Sequence, residues 1–422
     1  MIFWTKHRTT ARNQKIAKLL VSAYPDVSPN ELFELYSDNS DDSGPTYGYY
    51  QLSEKECYNW EDTKEEYQDT PNSLWGGYYG AISAANMALK AIEEKGNPAS
   101  LNPQRGEALV CRAYCHFMLL TLYSKFFDEA GREINPGVPF VDEPEDIVNK
   151  HYDRGTVAST LARIKEDLTY GLRYVSSTEH TQPKFHFSPD AARMLALRIA
   201  LYERDYPTVI SYASMLVPQP IQTQTIGTNQ LDNTPQIAPS ADDVAYNTCG
   251  TSLFDWVTAY NAYSSTSAFG IAFQRATSSH VILASEPYSM FNRVFRSISY
   301  SRYQYRDSEF DQIIQGNATG LQWRLPAFLL SIMPAGAPNF VPKFYEDFKV
   351  TNINANTGSP YCRVALFRRE EAILARAEAY TMMGEYDKAL LDLSMYVQNR
   401  VTPSGSTGKA SIRQSALTRD KV

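Results

Sequence analysis

The chain repeats itself. Ala196–Val217, A-L-R-I-A-L-Y-E-R-D-Y-P-T-V-I-S-Y-A-S-M-L-V, is echoed by Ala375–Val397, A-R-A-E-A-Y-T-M-M-G-E-Y-D-K-A-L-L-D-L-S-M-Y-V. With one residue of gap, Asp205-Tyr206 falls on Glu385-Tyr386 and Ser214-Met215 on Ser394-Met395. In the second copy, A-x-A-Y followed by G-E-Y-D-K-A follows the helix–turn–helix grammar of tetratricopeptide units. Small Ala377 and Ala379 permit close helix approach, Gly384 permits the tight turn, and Tyr386 and Ala389 are expected to pack back on the first helix. One such unit cannot bury its apolar face alone, so neighbours must stack on it. The predicted fold is therefore mainly α: tetratricopeptide-like helix pairs in a right-handed superhelical scaffold. Scaffolds of this kind serve binding more often than catalysis.

The rest of the first half has the same helical period. From Asn72, the residues Trp75, Tyr79, Ile82, Ala85, Leu89 and Ile92 recur at spacings of three and four and stop near Gly96-Asn97-Pro98. A second helix is expected from about Pro103 to Phe127, with Ala108, Cys111, Cys115, Met118, Leu122 and Phe126 on one stripe. Cys111, Cys115 and His116 invite a metal reading, but two thiols on an apolar stripe and one histidine off it do not complete a tetrahedral site. A third helix is expected from Thr156 to Tyr174. A fourth opens at Ser188-Pro189-Asp190, with Ser188 as N-cap and Pro189 in the first turn, and a short partner runs to about Leu216.

Between positions 217 and 365 the pattern changes. Only 19 of these 149 positions are charged, prolines are frequent, and no helical period lasts. This reads as a large irregular, loop-rich insertion with short helices and a few strands, packed on the helical body. Regular helices return at Arg369. The division is thus 1–216, an N-terminal helical part with a loop at 37–69; 217–365, the insertion; and 366–422, a C-terminal helix pair, together forming one structural unit.

Composition narrows the function. A formal net charge of −7 argues against a nucleic-acid partner, and no run of 18 apolar residues marks a membrane span. The polar start, M-I-F-W-T-K-H-R, holds no secretory h-region, so the chain is expected to be cytoplasmic or to have its export signal outside these residues. Five sparse cysteines form no disulfide framework. Tyrosine is abundant, 29 against 19 Phe and 5 Trp, which suits wet contact surfaces as well as core.

Four stretches carry a family resemblance: L-W-G-G-Y-Y-G-A-I-S-A-A-N-M-A-L (Leu74–Leu89), R-G-E-A-L-V-C-R-A-Y-C-H-F-M-L-L-T-L-Y (Arg105–Tyr123), S-P-D-A-A-R-M-L-A-L-R-I-A-L-Y (Ser188–Tyr202) and L-F-R-R-E-E-A-I-L-A-R-A-E-A-Y (Leu366–Tyr380). In order and spacing they resemble the SusD/RagB family, surface glycan-binding lipoproteins of Bacteroidetes nutrient uptake. P-G-V-P-F-V (Pro136–Val141) resembles the family's loop after the second of these helices. The resemblance implies a non-catalytic oligo- or polysaccharide-binding protein at the outer-membrane surface. Its implied partners are a glycan and a SusC-like TonB-dependent transporter, with membrane contact only through a lipid anchor that these residues do not include, and no cofactor. The motifs themselves read as structural: Trp75 and Tyr79 as core, Asn86 as a bond to a neighbouring helix backbone.

A glycan site needs aromatic faces for the sugar C–H patches and amides or carboxylates for the hydroxyl rim. The 37–69 loop offers Tyr47, Tyr49, Tyr50, Tyr58 and Trp60 without helical or strand period, beside Asn39, Asp41, Asn59 and Asp62. The insertion offers Trp256, Tyr260, Tyr263 and Trp323. For each aromatic, loop packing competes with sugar contact, and Trp60 is the strongest candidate because it lies outside every amphipathic stripe. Two other classes compete. A helical glycosidase would need two carboxylates across a cleft, and Glu31, Glu34, Glu65 and Glu66 are available but unmarked. A tetratricopeptide adaptor would bind a protein or peptide. The D-N-S-D-D cluster lacks the glycine and distal glutamate of an EF-hand loop, and the six histidines are scattered in sequence.

Overall fold

The computed structural model describes residues 27–37, 40–42, 44, 51–66, 69–145, 150–178, 180, 183–217, 226–228, 235–237, 281–285, 302–305, 345–352, 355 and 357–398. The order of elements is α1 (Asn30–Leu35), β1 (Ser40–Asp42), α2 (Leu52–Tyr58), α3 (Pro71–Glu93), α4 (Asn102–Tyr123), α5 (Val157–Tyr174), α6 (Pro189–Tyr202) and α7 (Tyr206–Leu216). Strands follow: β2 (Ile226–Thr228), β3 (Pro235–Ile237), β4 (Val281–Ser285), β5 (Tyr303–Tyr305), β6 (Tyr345–Asn352) and β7 (Thr357–Arg368). The described chain closes with α8 (Arg369–Met382) and α9 (Tyr386–Gln398). The mainly helical class expected from sequence is what the structure has, and no helix among the described residues is long and apolar enough to cross a membrane.

Local chemistry sets the helix ends. Thr156 caps α5 and exchanges bonds with Ser159, Ser188 accepts from Ala191 N–H at the start of α6, and Asp205 accepts from Thr208 N–H at the start of α7. The repeat appears as one turn made twice. Arg204 N–H donates to Leu201 O and Asp205 N–H to Ala200 O; in the second copy Gly384 N–H donates to Thr381 O and Glu385 N–H to Tyr380 O. Both turn residues are left-handed, at φ +60° and +75°, the geometry of a Schellman helix end.

Helix pairs pack in chain order, α3 on α4, α4 on α5, α6 on α7 and α8 on α9, and α8 also lies against α7. The α4–α5 crossing is close because Gly106 faces the Tyr174–Val175 backbone, where a Cβ would meet Val175 N at 2.4 Å. One continuous core joins all these helices through Leu74, Tyr78, Leu119, Ile164, Leu195, Val209, Ile373 and Met395, with Phe367 of β7. Ala377, Ala379 and Ala389 are buried as predicted; Tyr386 is not, because at the first position of α9 it faces outward.

Several expectations need correction. α4 ends at Tyr123, so Phe126 falls outside the helix and is 63% exposed. α4 is buried all round, which places His116 inside with Cys111 and Cys115. On α3 the predicted Ile82, Ala85 and Ile92 are buried, but at its N-terminal end Leu74 and Tyr78 take the buried positions while Trp75 and Tyr79 pack at the edge of the core. Asn86 bonds a loop, not a helix: its amide donates to Val141 O and Glu143 O. The insertion contributes an antiparallel sheet, ordered β4-β7-β6, whose strand β7 runs across position 365 directly into α8.

Asn86 belongs to a larger arrangement around residues 136–143. Tyr79 donates to Pro139 O at 2.7 Å, Thr160 to Val138 O, Arg154 to Gly137 O and Arg112 to Asp142 O at 2.9 Å. Val141 N–H donates to His116 Nε2 at 3.0 Å, while His116 Nδ1–H donates to Arg112 O at 2.9 Å. These two bonds need the neutral imidazole, and burial together with the Arg112 and Arg163 charges lowers its pKa to about 3 against the opposing Arg112 carbonyl bond. Arg112 also grips Asp167 through two bonds of 2.6 and 2.7 Å. Arg376 and Asp392 make a second bidentate pair, fully buried, and Arg376 continues to Val217 O at 2.8 Å. The polar residues of the motifs are scaffold fastenings.

Candidate functional site

The described residues of the 37–69 region hold more regular structure than the sequence suggests. A helix, α2, occupies Leu52–Tyr58, with Gln51 and Glu54 forming a capping box. At its end, Trp60 N–H donates to Cys57 O at 3.0 Å and Glu61 N–H to Glu56 O at 2.8 Å. This is again the Schellman pattern, but its left-handed residue is a tryptophan at φ +58°. Glycine occupies the same position at Gly96 and Gly384 without steric penalty; for a side chain with a Cβ it costs ~1–2 kcal/mol. The turn raises the indole out of the surface, where it is 72% exposed. Its ring rests on Tyr36 with centroids 4.6 Å apart and planes at 38°. Asn59, Glu61 and Asp62 are all exposed beside it.

Tyr58 and Asp41 are brought together but face inward. Tyr58 OH donates to Asp41 Oδ1 at 3.3 Å, and its ring stacks on buried Tyr303 at 4.6 Å and 29°. Burial and the Asp41 charge raise the Tyr58 pKa. β1 pairs antiparallel with β5, Ser40 opposite Tyr305, and Arg302 holds Asp42 through both carboxylate oxygens. That bond holds the Asp42 carboxyl below the usual range. The acidic cluster thus joins the insertion to the N-terminal part. Asn39, Tyr47, Tyr49, Tyr50, Trp256, Tyr260, Tyr263 and Trp323 lie outside the described residues.

Two carboxylates considered for glycosidase chemistry have other bonds: Glu65 accepts from Ser53 N–H at 2.9 Å and Glu66 from Asn72 at 3.2 Å. A cleft of about 620 Å³ opens between α3, α4, α5 and the 140–144 loop, lined by Lys90, Glu93, Arg105, Glu143, Arg163 and Tyr170 among others. Trp60, Tyr58 and Asp41 do not line it. Sequence reasoning also missed Tyr36, Arg302 and Tyr303, whose roles depend on contacts distant in the chain. The signal available for Tyr36 was its place just after the amphipathic N-E-L-F-E-L run.

Helix pairs with tetratricopeptide turns, and a strand, β7, that leads from the sheet directly into α8, define a tetratricopeptide-like helical scaffold. A family model described as starch-binding associating with outer membrane, SusD-like, matches residues 5–201. Solved structures share the fold along nearly the whole chain. A SusD superfamily protein from Bacteroides vulgatus ATCC 8482 superposes with a TM-score of 0.60 at 16% identity, covering 96% of this chain and 83% of its own. A putative sugar binding protein from the same organism gives 0.59 at 17%, covering 96% and 81%. A SusD superfamily protein from Bacteroides thetaiotaomicron VPI-5482 gives 0.59 at 15%, covering 97% and 84%. No curated protein matches. The N-terminal part of the chain is thus similar to the SusD-like family, and its fold is that of solved SusD superfamily structures.

Proposed function

We propose that this protein binds oligo- or polysaccharide at the surface around Trp60 and passes it to a TonB-dependent transporter of the outer membrane, without cleaving it. The observation that carries the reading is the indole itself: 72% exposed, lifted on a left-handed turn, backed by Tyr36 and flanked by exposed Asn59, Glu61 and Asp62. A flat apolar face bordered by amide and carboxylates matches the C–H patches and hydroxyl rim of a sugar ring. The match of residues 5–201 to a starch-binding family model associating with the outer membrane supports the glycan class and the outer-membrane location. The bonded roles of Glu65 and Glu66 support the non-catalytic reading.

The test is titration of a glycan panel against wild type and Trp60→Ala. An aromatic anchor contributes ~2 kcal/mol at an interface, so the variant is expected to bind roughly thirtyfold more weakly. Wild-type affinity in the variant, or release of reducing ends from the glycan by the wild type, would sink the proposal.

A further inference from the structure

Two histidines that look scattered in sequence meet in space. Glu107, in the first turns of α4, is buried, and its carboxylate faces the connection between α5 and α6. There His186 Nδ1 lies 2.8 Å from Glu107 Oε1, and His180 Nε2 lies 3.3 Å from Glu107 Oε2. The two imidazoles stack face to face, centroids 3.7 Å apart and planes at 11°. The three donor atoms all lie within 4.8 Å of one another. Phe187 N–H adds a bond to Glu107 Oε1 at 3.3 Å, which fixes the carboxylate in place.

We propose that Glu107, His180 and His186 form a binding site for a divalent transition ion of the zinc type, which clips the α5–α6 connection to α4. Two imidazoles and one carboxylate are the donor set such ions take, with a fourth position left for water. Donors in a tetrahedron with bonds of ~2.0–2.1 Å lie ~3.3 Å apart, the present separation of His180 Nε2 from the carboxylate. The parallel rings set the one adjustment needed. A single ion lies in the plane of each ring it binds, so one imidazole must turn out of the stack. His180 is the one placed to turn, because it stands on the connection, whereas His186 follows the short 3₁₀ turn Pro183–Phe185 that enters α6. A hard oxygen-seeking ion such as Ca²⁺ is excluded by a donor set that is two-thirds nitrogen. Zinc takes imidazole nitrogen and carboxylate oxygen in their deprotonated forms, so any proton held on these donor atoms leaves as the ion binds.

The experiment uses the full chain, cleared of metal with a chelator and titrated calorimetrically with Zn²⁺ and, separately, Ca²⁺. Co²⁺ serves as the optical probe of nitrogen ligation. The expected result is one Zn²⁺ per chain, proton release that differs between buffers of different ionisation enthalpy, a Tm that rises with Zn²⁺ and not with Ca²⁺, and a Co²⁺ visible band. His180→Phe keeps a stacking ring on His186 and removes a ligand. Its Zn²⁺ affinity is expected to fall by more than the roughly 10–100-fold that losing an outer-shell partner costs, with Tm in chelator unchanged. No stoichiometric Zn²⁺ uptake by the wild type overturns the proposal and leaves a buried polar contact among the two histidines and Glu107. Uptake undiminished in both His180→Phe and His186→Phe, or an equal Ca²⁺ response, overturns it as well.

Discussion

Trp75 and Trp60 sit in aromatic clusters of similar composition and opposite construction. Trp75 packs on Tyr79 at 4.9 Å and edge-on to Tyr123 at 5.0 Å. Both tyrosine hydroxyls in that cluster donate to backbone carbonyls, Tyr79 to Pro139 O and Tyr123 to Pro71 O, so the cluster is tied into the helical body. Trp60 has one ring behind it, a strained turn beneath it and water over most of its surface. Removing the first cluster is expected to damage the fold; removing the second, binding. Aromatic content alone therefore does not mark a glycan site; the hydrogen bonds around the rings separate the two uses.

The largest effect expected on the scaffold side comes from Arg112. Its guanidinium joins Asp167, Asn86 Oδ1 and Asp142 O inside the helical body. Arg112→Ala leaves the Asp167 carboxylate buried without its partner, and breaking such a pair costs ~3–5 kcal/mol. A denaturant midpoint shifted by less than a third of that amount would show that water reaches Asp167 and that this region is not the rigid half of the comparison.

Trp75→Ala follows, at ~2–3 kcal/mol, below the full cost for a deeply buried aromatic because Trp75 is only partly buried. Glycan affinity is expected to stay within about twofold of wild type, since the cluster is bonded into the scaffold. Equal losses of affinity in Trp75→Ala and Trp60→Ala would erase the distinction between the clusters.

Acid sharpens the same contrast. The folded His116 pKa, about 3, lies below the ordinary 6.5, so the unfolded chain binds the extra proton first. The neutral ring's contribution is complete above pH 6.5 and is lost as pH falls towards 3, by up to ~1.4 kcal/mol per unit. His116→Gln is expected to flatten the stability profile across that window. An unchanged acid slope would mean the imidazolium is accommodated where Val141 N–H now donates.

Much of this was legible in the sequence because its causes are local. Ser188 caps as read, the helix expected from Thr156 to Tyr174 starts within one residue of that position, Gly384 turns where the repeat requires it, and Arg369 opens a helix as read. What was hidden depends on distance. The register of Ser40 with Tyr305 joins segments far apart in the chain, and the meeting of Glu107 with His186 is set by how α4 and α6 pack. Phe126 falls on the sequence stripe because the apolar period outlasts the helix, whose last turn closes at Ser124 N–H to Leu120 O. The left-handed turn at Trp60 was hidden for another reason: its usual signal is a glycine, and none stands there.

That missing glycine supplies the finest test. Trp60→Gly and Trp60→Ala both remove the indole and with it the stacking on Tyr36, so both are expected to lose glycan affinity equally. They differ only in the backbone. At φ +58° glycine is unstrained while alanine keeps the Cβ clash, so the glycine variant should be the more stable of the two by ~1 kcal/mol. This preference exists only if the turn stays left-handed after the indole is gone. An aromatic pair such as Trp60 on Tyr36 is worth ~0.5–1.5 kcal/mol, close to the strain relieved by glycine. Trp60→Gly should therefore melt within a degree or two of wild type while binding glycan poorly, as expected where strain is retained at a binding position. If Trp60→Ala is the more stable variant, the turn relaxes once the indole is removed, and the strain belongs to the packing on Tyr36 rather than to presentation of a sugar platform.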